Sequence, residues 1–336
     1  MKVFFKGYYG FKNIGDDIFV HTIDWFCKKY NLHYLIHGYE LPYGINGKLI
    51  SNKFKKNFYD LFYAFRANKI IYWGGSTFES ISRKTDLKYL LNRLPFLRKK
   101  VSLFSISLGP FNNKTEKTKV INFVNKLNYA GVRDEKSLNL STNTKFTFDL
   151  AILTPLIFKA NHKNNNPKKI IGLNISDSKN YTEYTKKYIN FLIENKKDIL
   201  EVNVLVFNPN DYDKSAEIAN ILKQNGIKTH LHKYTRNTEE LVNKLSQSDF
   251  LMGNRLHSGI LAYAYNIPFI LNEYHSKCTE FLNTINQEYR YKNLDNNRQN
   301  LTDIIEKCKN RKDPSYFLDI TLAELENLNN VIKHHD

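Results

Sequence analysis

The chain has 336 residues, with 42% hydrophobic and 14% aromatic residues and a formal net charge of +17. That length and apolar content predict two domains of roughly 150 residues each. The three cysteines are far apart and form no Cys-x-x-Cys pair, which argues against a disulfide framework and a structural zinc site. The lysines are scattered over the whole chain without a nucleic-acid-binding motif, so we expect no nucleic-acid partner in spite of the charge.

The first half of the sequence alternates apolar runs with loops and helical patterns. A loop from Gly7 to Asp16 precedes an amphipathic helix from Ile18 to Tyr30. The alternation predicts a parallel sheet covered by helices, in a first domain over residues 1–160. Strands are predicted at Val3–Phe5, Lys69–Trp73, Val101–Ile106 and Tyr129–Val132.

A polar, helix-poor stretch, Ala160–Pro167, has the composition of an interdomain linker. The same alternation then returns and predicts a second domain over residues 161–310, while residues 311–336 predict a helix, Leu318–Lys333, that packs back across the join. Gly226 is expected to close a helix at its C′ position. Strands are predicted at Lys169–Ile175, Val202–Phe207, Ile227–His232, Asp249–Met252 and Pro268–Leu271, and helices at Tyr181–Lys197, Lys214–Asn225, Thr238–Ser246 and Ile260–Tyr265.

The expected fold is therefore α/β, with two tandem doubly wound, Rossmann-like domains. In such sheets ligands bind beyond the carboxyl ends of the strands, and two domains of this kind form an interdomain cleft. The candidate site residues are those that follow strand ends.

The glycine-containing loop after the first strand matches neither the dinucleotide fingerprint nor a P-loop. Asp16 and Asp17 would repel a phosphate at the helix start, whereas they would cap the helix or accept hydrogen bonds from sugar hydroxyls. A structural role is favoured for the loop as a whole, and Asn13 and Asp16 are kept as candidate residues of the cleft. Ser76, in the Gly-Gly-Ser-Thr turn after Trp73, is a third candidate, because a turn at the carboxyl end of a strand faces the cleft in this topology.

Arg133 follows the strand Tyr129–Val132, and Asp134 is placed to cap the next short helix. One interpretation is structural, with Arg133 pairing with Asp134 or tying two loops together. The other is functional, because a second arginine directed into the cleft opposite Arg255 is what a small, multiply charged anion requires.

Arg255 and His257 lie where the apolar run Asp249–Met252 gives way to a helical pattern. Backbone N–H groups and the positive end of the helix dipole favour an anion at such a junction, and a guanidinium adds a bidentate fork. His257 adds a titratable proton, and Lys277 follows one strand later. A lone histidine at a helix end is usually structural, but the combination of these three residues in one short segment favours a functional anion site.

Two other histidines, His230 and His232, share one face of a predicted strand. No third ligand accompanies them in the sequence, so we expect neither a metal site nor another cofactor.

Membrane association is the remaining question of location. No apolar run approaches the ~20 residues needed to cross a bilayer, and Met1–Lys6 is too short and polar for a signal peptide, so we expect a cytoplasmic protein. Lys88–Lys100 mixes bulky apolar residues with a basic cluster. It either lies on the anionic inner face of the membrane, as a peripheral contact, or packs as a helix with a solvated basic end, and the sequence leaves both interpretations open.

Taken together, these motifs resemble the polysaccharide pyruvyl transferase family, from Gly7 to about Ile285. The chain departs from the family pattern at Ser76, where a third glycine is common. No single landmark is specific, and the resemblance rests on their order and spacing. The landmarks are the Gly7–Asp16 loop, the turn at Gly74, Leu108–Pro110, Val132–Asp134, Asp149, Arg255–His257 and Lys277.

The resemblance implies a GT-B-like architecture, phosphoenolpyruvate as a co-substrate, and formation of a cyclic pyruvate ketal on two hydroxyls of a sugar. The acceptor would belong to a cell-surface glycan, such as a capsule or exopolysaccharide, or to its precursor. Donor binding and catalysis are carried over to Arg133, Arg255, His257 and Lys277, with His257 as the candidate general acid. Asn13, Asp16 and Ser76 are the weaker candidates for binding the acceptor sugar. The acceptor sugar, its hydroxyl pair, its attachment to a lipid and the oligomeric state are left open.

Two rival hypotheses remain. A GT-B glycosyltransferase with a nucleotide-sugar donor would use the same architecture and the same basic residues for a diphosphate. A non-catalytic scaffold in glycan assembly belongs to a different class, and the presence of Arg255, His257 and Lys277 weighs against it.

Overall fold

The computed structural model describes residues 1–160, 166–176, 181–294 and 299–333, so most of the predicted linker lies outside the described residues. The chain forms two compact units. Unit 1 comprises Met1–Phe11, Asp16–Leu150 and the chain from Phe317 onward, and unit 2 comprises Lys12–Gly15 and Ala151–Tyr316.

Unit 1 is built on a parallel sheet. Its strands lie in the order β2-β1-β5-β6-β7-β8, and a two-stranded parallel pair, β3 and β4, lies outside it. The four predicted strands of this half are confirmed as β1, β5, β6 and β7. The elements are β1 (Lys2–Lys6), α1 (Ile14–Tyr30), β2 (His33–Leu35), β3 (His37–Gly38), β4 (Lys48–Leu49), α2 (Lys53–Arg66), β5 (Lys69–Trp73), α3 (Leu87–Arg93), α4 (Pro95–Arg98), β6 (Val101–Ile106), α5 (Lys114–Val124), β7 (Tyr129–Val132), α6 (Glu135–Leu138) and β8 (Thr144–Phe146).

Unit 2 repeats the plan with a five-stranded parallel sheet in the order β11-β10-β9-β12-β13. Its predicted strands and helices are confirmed, with ends that differ by a few residues, and Gly226 has the positive φ of 79° expected at C′. The elements are α7 (Thr154–Ile157), β9 (Lys169–Asn174), α8 (Tyr181–Glu194), β10 (Ile199–Leu205), α9 (Tyr212–Gln224), β11 (Thr229–His232), α10 (Thr238–Ser246), β12 (Phe250–Gly253), α11 (Leu256–Ala264), β13 (Phe269–Leu271), α12 (Ser276–Thr284) and α13 (Leu301–Lys307).

The central strands of both sheets are buried, as expected for parallel strands that are covered on both faces. Every residue of β5 and β6 is buried, and so is every residue of β12 and β13. Each unit therefore has its own hydrophobic core around its own sheet.

The last helix, α14 (Pro314–Lys333), begins four residues before the predicted Leu318. From Phe317 onward it belongs to unit 1, where the ring of Phe317 stacks on Phe148 with centroids 4.3 Å apart. The hydroxyl of Thr321 donates to the carbonyl of Thr147 at 2.9 Å. These contacts fix the helix beside the end of the unit 1 sheet.

Two predicted helix starts are wrong. α1 begins at Ile14 rather than Ile18, so the predicted Gly7–Asp16 loop is shorter and Asp16 lies in the first turn of the helix. The cause is local, because the side chain of Asn13 accepts a hydrogen bond from the N–H of Gly15 at 3.1 Å. α11 begins at Leu256, so His257 lies inside the helix rather than before it.

The Lys88–Lys100 segment forms α3 and α4, which meet at Leu94–Pro95. Leu91 and Leu97 are buried, as the packing interpretation requires, whereas Phe96 is exposed. None of the described helices is long and apolar enough to cross a membrane.

Candidate active site

Three buried asparagines end three neighbouring strands of unit 2. Asn174 is the last residue of β9, Asn254 follows β12 and Asn272 follows β13. The Asn272 amide donates to the Asn254 side-chain carbonyl at 2.7 Å, and the Asn254 amide donates to the Ser176 hydroxyl. The Asn174 amide donates to the carbonyl of Leu205 at 2.8 Å. Because each of these side chains is held by hydrogen bonds within unit 2, the asparagines form an ordered polar edge on which the following helices begin.

Arg255 lies at the N-cap of α11, directly above that edge. Its backbone N–H donates to Asn174 Oδ1 at 3.0 Å. Its guanidinium donates from Nε and Nη2 to the two carboxylate oxygens of Asp211, the latter at 2.9 Å. The Asp211 side chain is 1% exposed and the Arg255 side chain 26% exposed. Since a guanidinium has five N–H donors and Asp211 accepts two of these bonds, three N–H groups remain for a ligand.

Asp211 is a partner that the sequence analysis did not identify. It follows β10 in the turn Asn208-Pro209-Asn210-Asp211. In the sequence, an aspartate just after a strand end was the feature that could have indicated this role. Forty-four positions separate it from Arg255, and only the fold places the two side chains in contact.

His257 lies in the first turn of α11, half-buried, and its imidazole ring faces the backbone of Gly15. A Cβ atom placed on Gly15 would lie only 2.0 Å from Nδ1 of His257. The N–H of Ile14 donates to the carbonyl of Phe207 at 3.1 Å and so holds residues 12–15 within unit 2. Gly15 therefore leaves room for the imidazole where almost any other residue would displace it.

Lys277 lies in the first turn of α12, after β13. Its backbone N–H donates to Nδ1 of His275, the N-cap residue, at 3.2 Å. The neighbouring Tyr274 ring is 40% exposed. Burial of the rest of the ring raises the pKa of Tyr274, while the charge of Arg255 lowers it and that of Asp211 raises it, which places the hydroxyl within electrostatic reach of both. The starts of α11 and α12 thus bring Arg255, His257 and Lys277 to one edge of the unit 2 sheet.

Arg133 belongs to unit 1 and is held by three side chains. Its Nε donates to the Ser107 hydroxyl at 2.7 Å, Nη1 donates to Asp149 Oδ2 at 2.6 Å, and Nη2 donates to the Ser76 hydroxyl at 3.1 Å. Asp134 is not its partner, because that carboxylate caps α6 by accepting from the N–H of Ser137 at 2.8 Å. The predicted Arg133–Asp134 pair is wrong, and the predicted tie between loops is confirmed. Two N–H donors of Arg133 remain after these bonds.

A polar cavity of about 620 Å³ opens beside Ser76 at the carboxyl ends of β1 and β5. Its wall combines hydroxyls, carboxylates, an amide and cations, which is the donor and acceptor mixture that sugar hydroxyls bind. The lining residues all belong to unit 1: Lys6, Gly7, Tyr8, Lys56, Tyr72, Ser76, Thr77, Glu79, Ser80, Arg83, Asp86, Lys88 and Asn112.

The other two acceptor-side candidates do not line that cavity. The Asn13 side chain caps α1, as described above. Asp16 lies near Tyr9. Burial and, after it, the negative charge of Asp16 raise the pKa of the Tyr9 phenol well above its usual range. Ser76 is therefore the only one of the three residues Asn13, Asp16 and Ser76 that both lines the cavity and contacts Arg133.

The His230 and His232 rings lie 6.4 Å apart, and Nε2 of His232 is 2.9 Å from the side-chain oxygen of Asn203. Within the described ranges, no group of three or more His, Cys, Asp or Glu residues is placed to hold a metal ion.

Comparison with known proteins decides the family. The model of the polysaccharide pyruvyl transferase family matches residues 13–276, which is most of the chain. The chain belongs to the polysaccharide pyruvyl transferase family. This membership makes it an enzyme that transfers pyruvate in polysaccharide biosynthesis. The matched range contains Asn13, Ser76, Arg133, Arg255 and His257, and it ends one residue before Lys277.

Solved structures confirm the GT-B-like class of this pyruvyl transferase. MnaA of S. aureus in complex with UDP has a TM-score of 0.66 at 13% identity, covering 100% of this chain and 98% of that chain. UDP-GlcNAc 2-epimerase of Neisseria meningitidis bound to UDP-GlcNAc has a TM-score of 0.63 at 13% identity, covering 98% and 99%. The lipopolysaccharide outer core galactosyltransferase WaaB has a TM-score of 0.53 at 13% identity, covering 99% of each chain. No curated protein matches the chain.

Proposed function

We propose that the enzyme transfers a pyruvyl group from phosphoenolpyruvate to two hydroxyls of one sugar, forming a cyclic ketal and releasing phosphate. The sugar would belong to a capsule, an exopolysaccharide or another cell-surface glycan, or to its precursor. The observation that carries the proposal is the Arg255–Asp211 pair at the start of α11, with His257 in the same turn. Family membership supports pyruvyl transfer as the reaction.

Phosphoenolpyruvate carries a carboxylate and a phosphate on a very small molecule, so its site needs several directed donors. The buried carboxylate of Asp211 fixes the plane of the Arg255 fork, which leaves three N–H groups for the anion. Because Asp211 also offsets the charge of Arg255, further positive charge is required. Lys277 and the N-termini of α11 and α12 would supply it.

The chemistry begins with a proton. His257, as imidazolium, protonates the methylene carbon, so that a C–H bond forms, the C2=C3 double bond is lost and C2 becomes electrophilic. One sugar hydroxyl adds to C2, and the second then forms its C2–O bond as the bond to phosphate breaks. Of the two hydroxyl protons, one restores His257 and the other leaves with the phosphate. Arg255 and Lys277 would stabilise the departing phosphate.

On the acceptor side, Ser76 and the polar cavity of unit 1 are proposed to bind the sugar. The cavity combines the hydroxyls of Thr77 and Ser80 with the carboxylates of Glu79 and Asp86, so each sugar hydroxyl can both donate and accept. Arg133 keeps its proposed role in donor binding through its two remaining N–H groups, while its hydrogen bond from Nη2 holds the Ser76 hydroxyl in place. Asn13 and Asp16 remain proposed acceptor residues, and the helix-capping bond of Asn13 gives it a structural role as well.

The test is phosphate release from phosphoenolpyruvate in the presence of soluble and lipid-linked glycan acceptors, with mass spectrometry of the product. One added pyruvate ketal is the expected product. His257→Ala should lower kcat by about 10²–10⁴-fold, and His257→Gln, which keeps the size but cannot protonate carbon, should lower it as much. Near-wild-type phosphate release by His257→Ala would show that His257 is not the acid.

The same assay separates the rival hypotheses. The solved structures that share this fold include proteins bound to UDP or UDP-GlcNAc, which is why a nucleotide-sugar donor must be tested. Tight binding of a UDP-sugar with sugar transfer and no phosphate release would replace our proposal by a glycosyltransferase. Absence of turnover with every donor and acceptor would support a scaffold.

A further inference from the structure

Helix α2 exposes large hydrophobic side chains along one stripe. Phe54 is 82% exposed, Phe58 58%, Leu61 40%, Phe62 39% and Phe65 53%. Their spacing follows the helical repeat, so the five side chains share one face of the helix. We call this stripe, together with Phe96, the aromatic face. A helix of a soluble domain normally buries such a stripe, and contiguous exposed apolar patches mark interaction surfaces.

The opposite face of α2 carries the buried Asp60, whose ion pairs fix the orientation of the helix. Asp60 is 4% exposed, and its carboxylate pairs with Lys6 at 2.8 Å, with Lys56 at 3.0 Å and with Nε2 of His37 at 2.7 Å. Rotating the helix to bury the aromatic face would expose these pairs and leave Lys6 without its counter-ion. The exposure of the phenylalanines is therefore built into the fold.

The aromatic face continues beyond α2. Phe96, at the start of α4, is 56% exposed, and its ring centroid lies 6.4 Å from that of Phe65. The Phe58 and Phe62 rings stack with centroids 6.1 Å apart. The patch thus spans the length of α2 and reaches α4.

A rim of positive charge surrounds these aromatic side chains. Lys53, Lys55 and Arg66 are exposed on α2, and the guanidinium of Arg66 lies 5.2 Å from the Phe62 ring centroid. A cleft of about 610 Å³ beside Phe65 is lined by Arg66, Lys69, Lys99 and Lys100, among others. The single acidic residue of α2 is the buried Asp60. The surface is therefore apolar in its centre and positive at its rim.

We propose that the aromatic face docks on an anionic phospholipid surface, with the phenylalanines at the level of the headgroups and the basic rim bound to lipid phosphates. Amphipathic helices with aromatic side chains on one side and lysine or arginine around them bind membranes in this way. A second copy of the chain fits less well, because a symmetric contact would bring two basic rims together. This docking is supported by the apolar and basic surface of α2 and α4, and it does not depend on the proposed function.

One consequence does rest on the proposed function. Lys56, on the charged side of α2, lines the polar cavity of unit 1 that we assign to the acceptor. A helix that contacts lipid on one side and this cavity on the other would place a lipid-linked acceptor within reach of the cavity.

The test uses the full-length protein and vesicles of phosphatidylcholine with or without phosphatidylglycerol, in a sedimentation assay. The wild type should bind the anionic vesicles, and binding should fall with added salt. Phe58→Ser with Phe62→Ser should weaken binding at least ~10-fold, because the membrane no longer buries two aromatic side chains. Leu156→Ser, at a side chain that is 40% exposed on unit 2, is the matched control and should bind as the wild type does.

Charge is tested separately. Lys53→Glu with Arg66→Glu should weaken binding to anionic vesicles by at least ~10-fold, since each basic side chain near the surface contributes about a fivefold factor. Lys197→Glu with Lys223→Glu, at exposed positions of unit 2, makes the same change in net charge and should have little effect. Thermal unfolding of each variant checks that the fold is intact.

Failure to bind anionic vesicles, or equal binding by the wild type and the Phe58/Phe62 variant, would overturn the proposal. So would a stable dimer in solution that Phe58→Ser with Phe62→Ser dissociates, because the face would then belong to a second copy. Vesicle binding is measured without substrate, so its outcome is independent of whether pyruvyl transfer occurs.

Discussion

Gly15→Ala tests whether the position of His257 matters for catalysis. A Cβ atom at residue 15 would lie 2.0 Å from Nδ1, 2.3 Å from Cγ and 2.5 Å from Cε1 of His257. Ordinary van der Waals contact begins at 3.4 Å, so the ring must withdraw by about 1.4 Å or rotate away. The imidazole is a side chain and can do so, whereas the backbone of α1 need not move.

The expected cost is large for activity and small for stability. Displacement of a reacting group by about 1 Å can cost 10²-fold in rate, so kcat should fall by roughly that factor. Alanine has a higher helix propensity than glycine by up to about 1 kcal/mol, and Gly15 lies within α1, so the melting temperature should not drop because of the helix itself.

The assay is phosphate release from phosphoenolpyruvate with a competent acceptor, measured for the wild type, Gly15→Ala, His257→Ala and the double variant. If alanine at residue 15 acts through the imidazole, it should add almost nothing in the His257→Ala background. Wild-type kcat in Gly15→Ala, or a 10²-fold loss that persists when His257 is already alanine, would refute this reasoning.

Two further predictions follow from buried charges. Arg255→Ala should lower kcat/KM for phosphoenolpyruvate by about 10–100-fold, because a charge-assisted hydrogen bond to the donor is lost. Arg255→Lys should keep only part of the wild-type kcat/KM, because lysine lacks the planar fork of donors. A wild-type kcat/KM in Arg255→Ala would contradict the role of Arg255 in donor binding. Asp60→Asn should destabilise the fold by about 3 kcal/mol in urea unfolding at neutral pH, because Lys6 and Lys56 lose their buried partner. Burial alone would raise the pKa of Asp60, but Lys6, His37 and Lys56 hold it well below its usual range, so the carboxylate stabilises the fold above about pH 4 and this contribution disappears as the pH falls further. The acid part of the stability profile should therefore flatten in Asp60→Asn, and an unchanged profile would contradict the assignment.

Local sequence signals were sufficient for the longer buried strands and for the helix junction at Arg255, whereas the strands β2, β3, β4 and β8, of two or three residues each, were not predicted. Parallel strands buried on both faces are short apolar runs, and a helix that follows such a run must begin near its carboxyl end. Arg255, His257 and Lys277 could therefore be placed at strand ends before any contact was known. The start of α11 was missed by four residues, because Arg255 occupies the N-cap without a capping side chain that a sequence pattern would show.

The partners of these residues could not be read from the sequence. Asp211 lies 44 positions from Arg255, and Asp149 and Ser76 lie 16 and 57 positions from Arg133. Each contact depends on the order of the strands in the sheet, which places these strand ends within reach of one another. The close approach of Gly15 to His257 depends likewise on residues 12–15 packing within unit 2.

Helix α2 shows most clearly which features the sequence determines and which the tertiary structure decides. The helix itself was not predicted, but the sequence alone determines that Phe54, Phe58, Leu61, Phe62 and Phe65 share one face of any helix formed by this segment, because their spacing follows the helical repeat. An apolar stripe usually predicts the buried side of a helix. Only the tertiary structure decided that this stripe faces outward, because the buried carboxylate of Asp60 pairs with Lys6 of β1 and with His37 of β3 and so holds the opposite side of the helix against these strands.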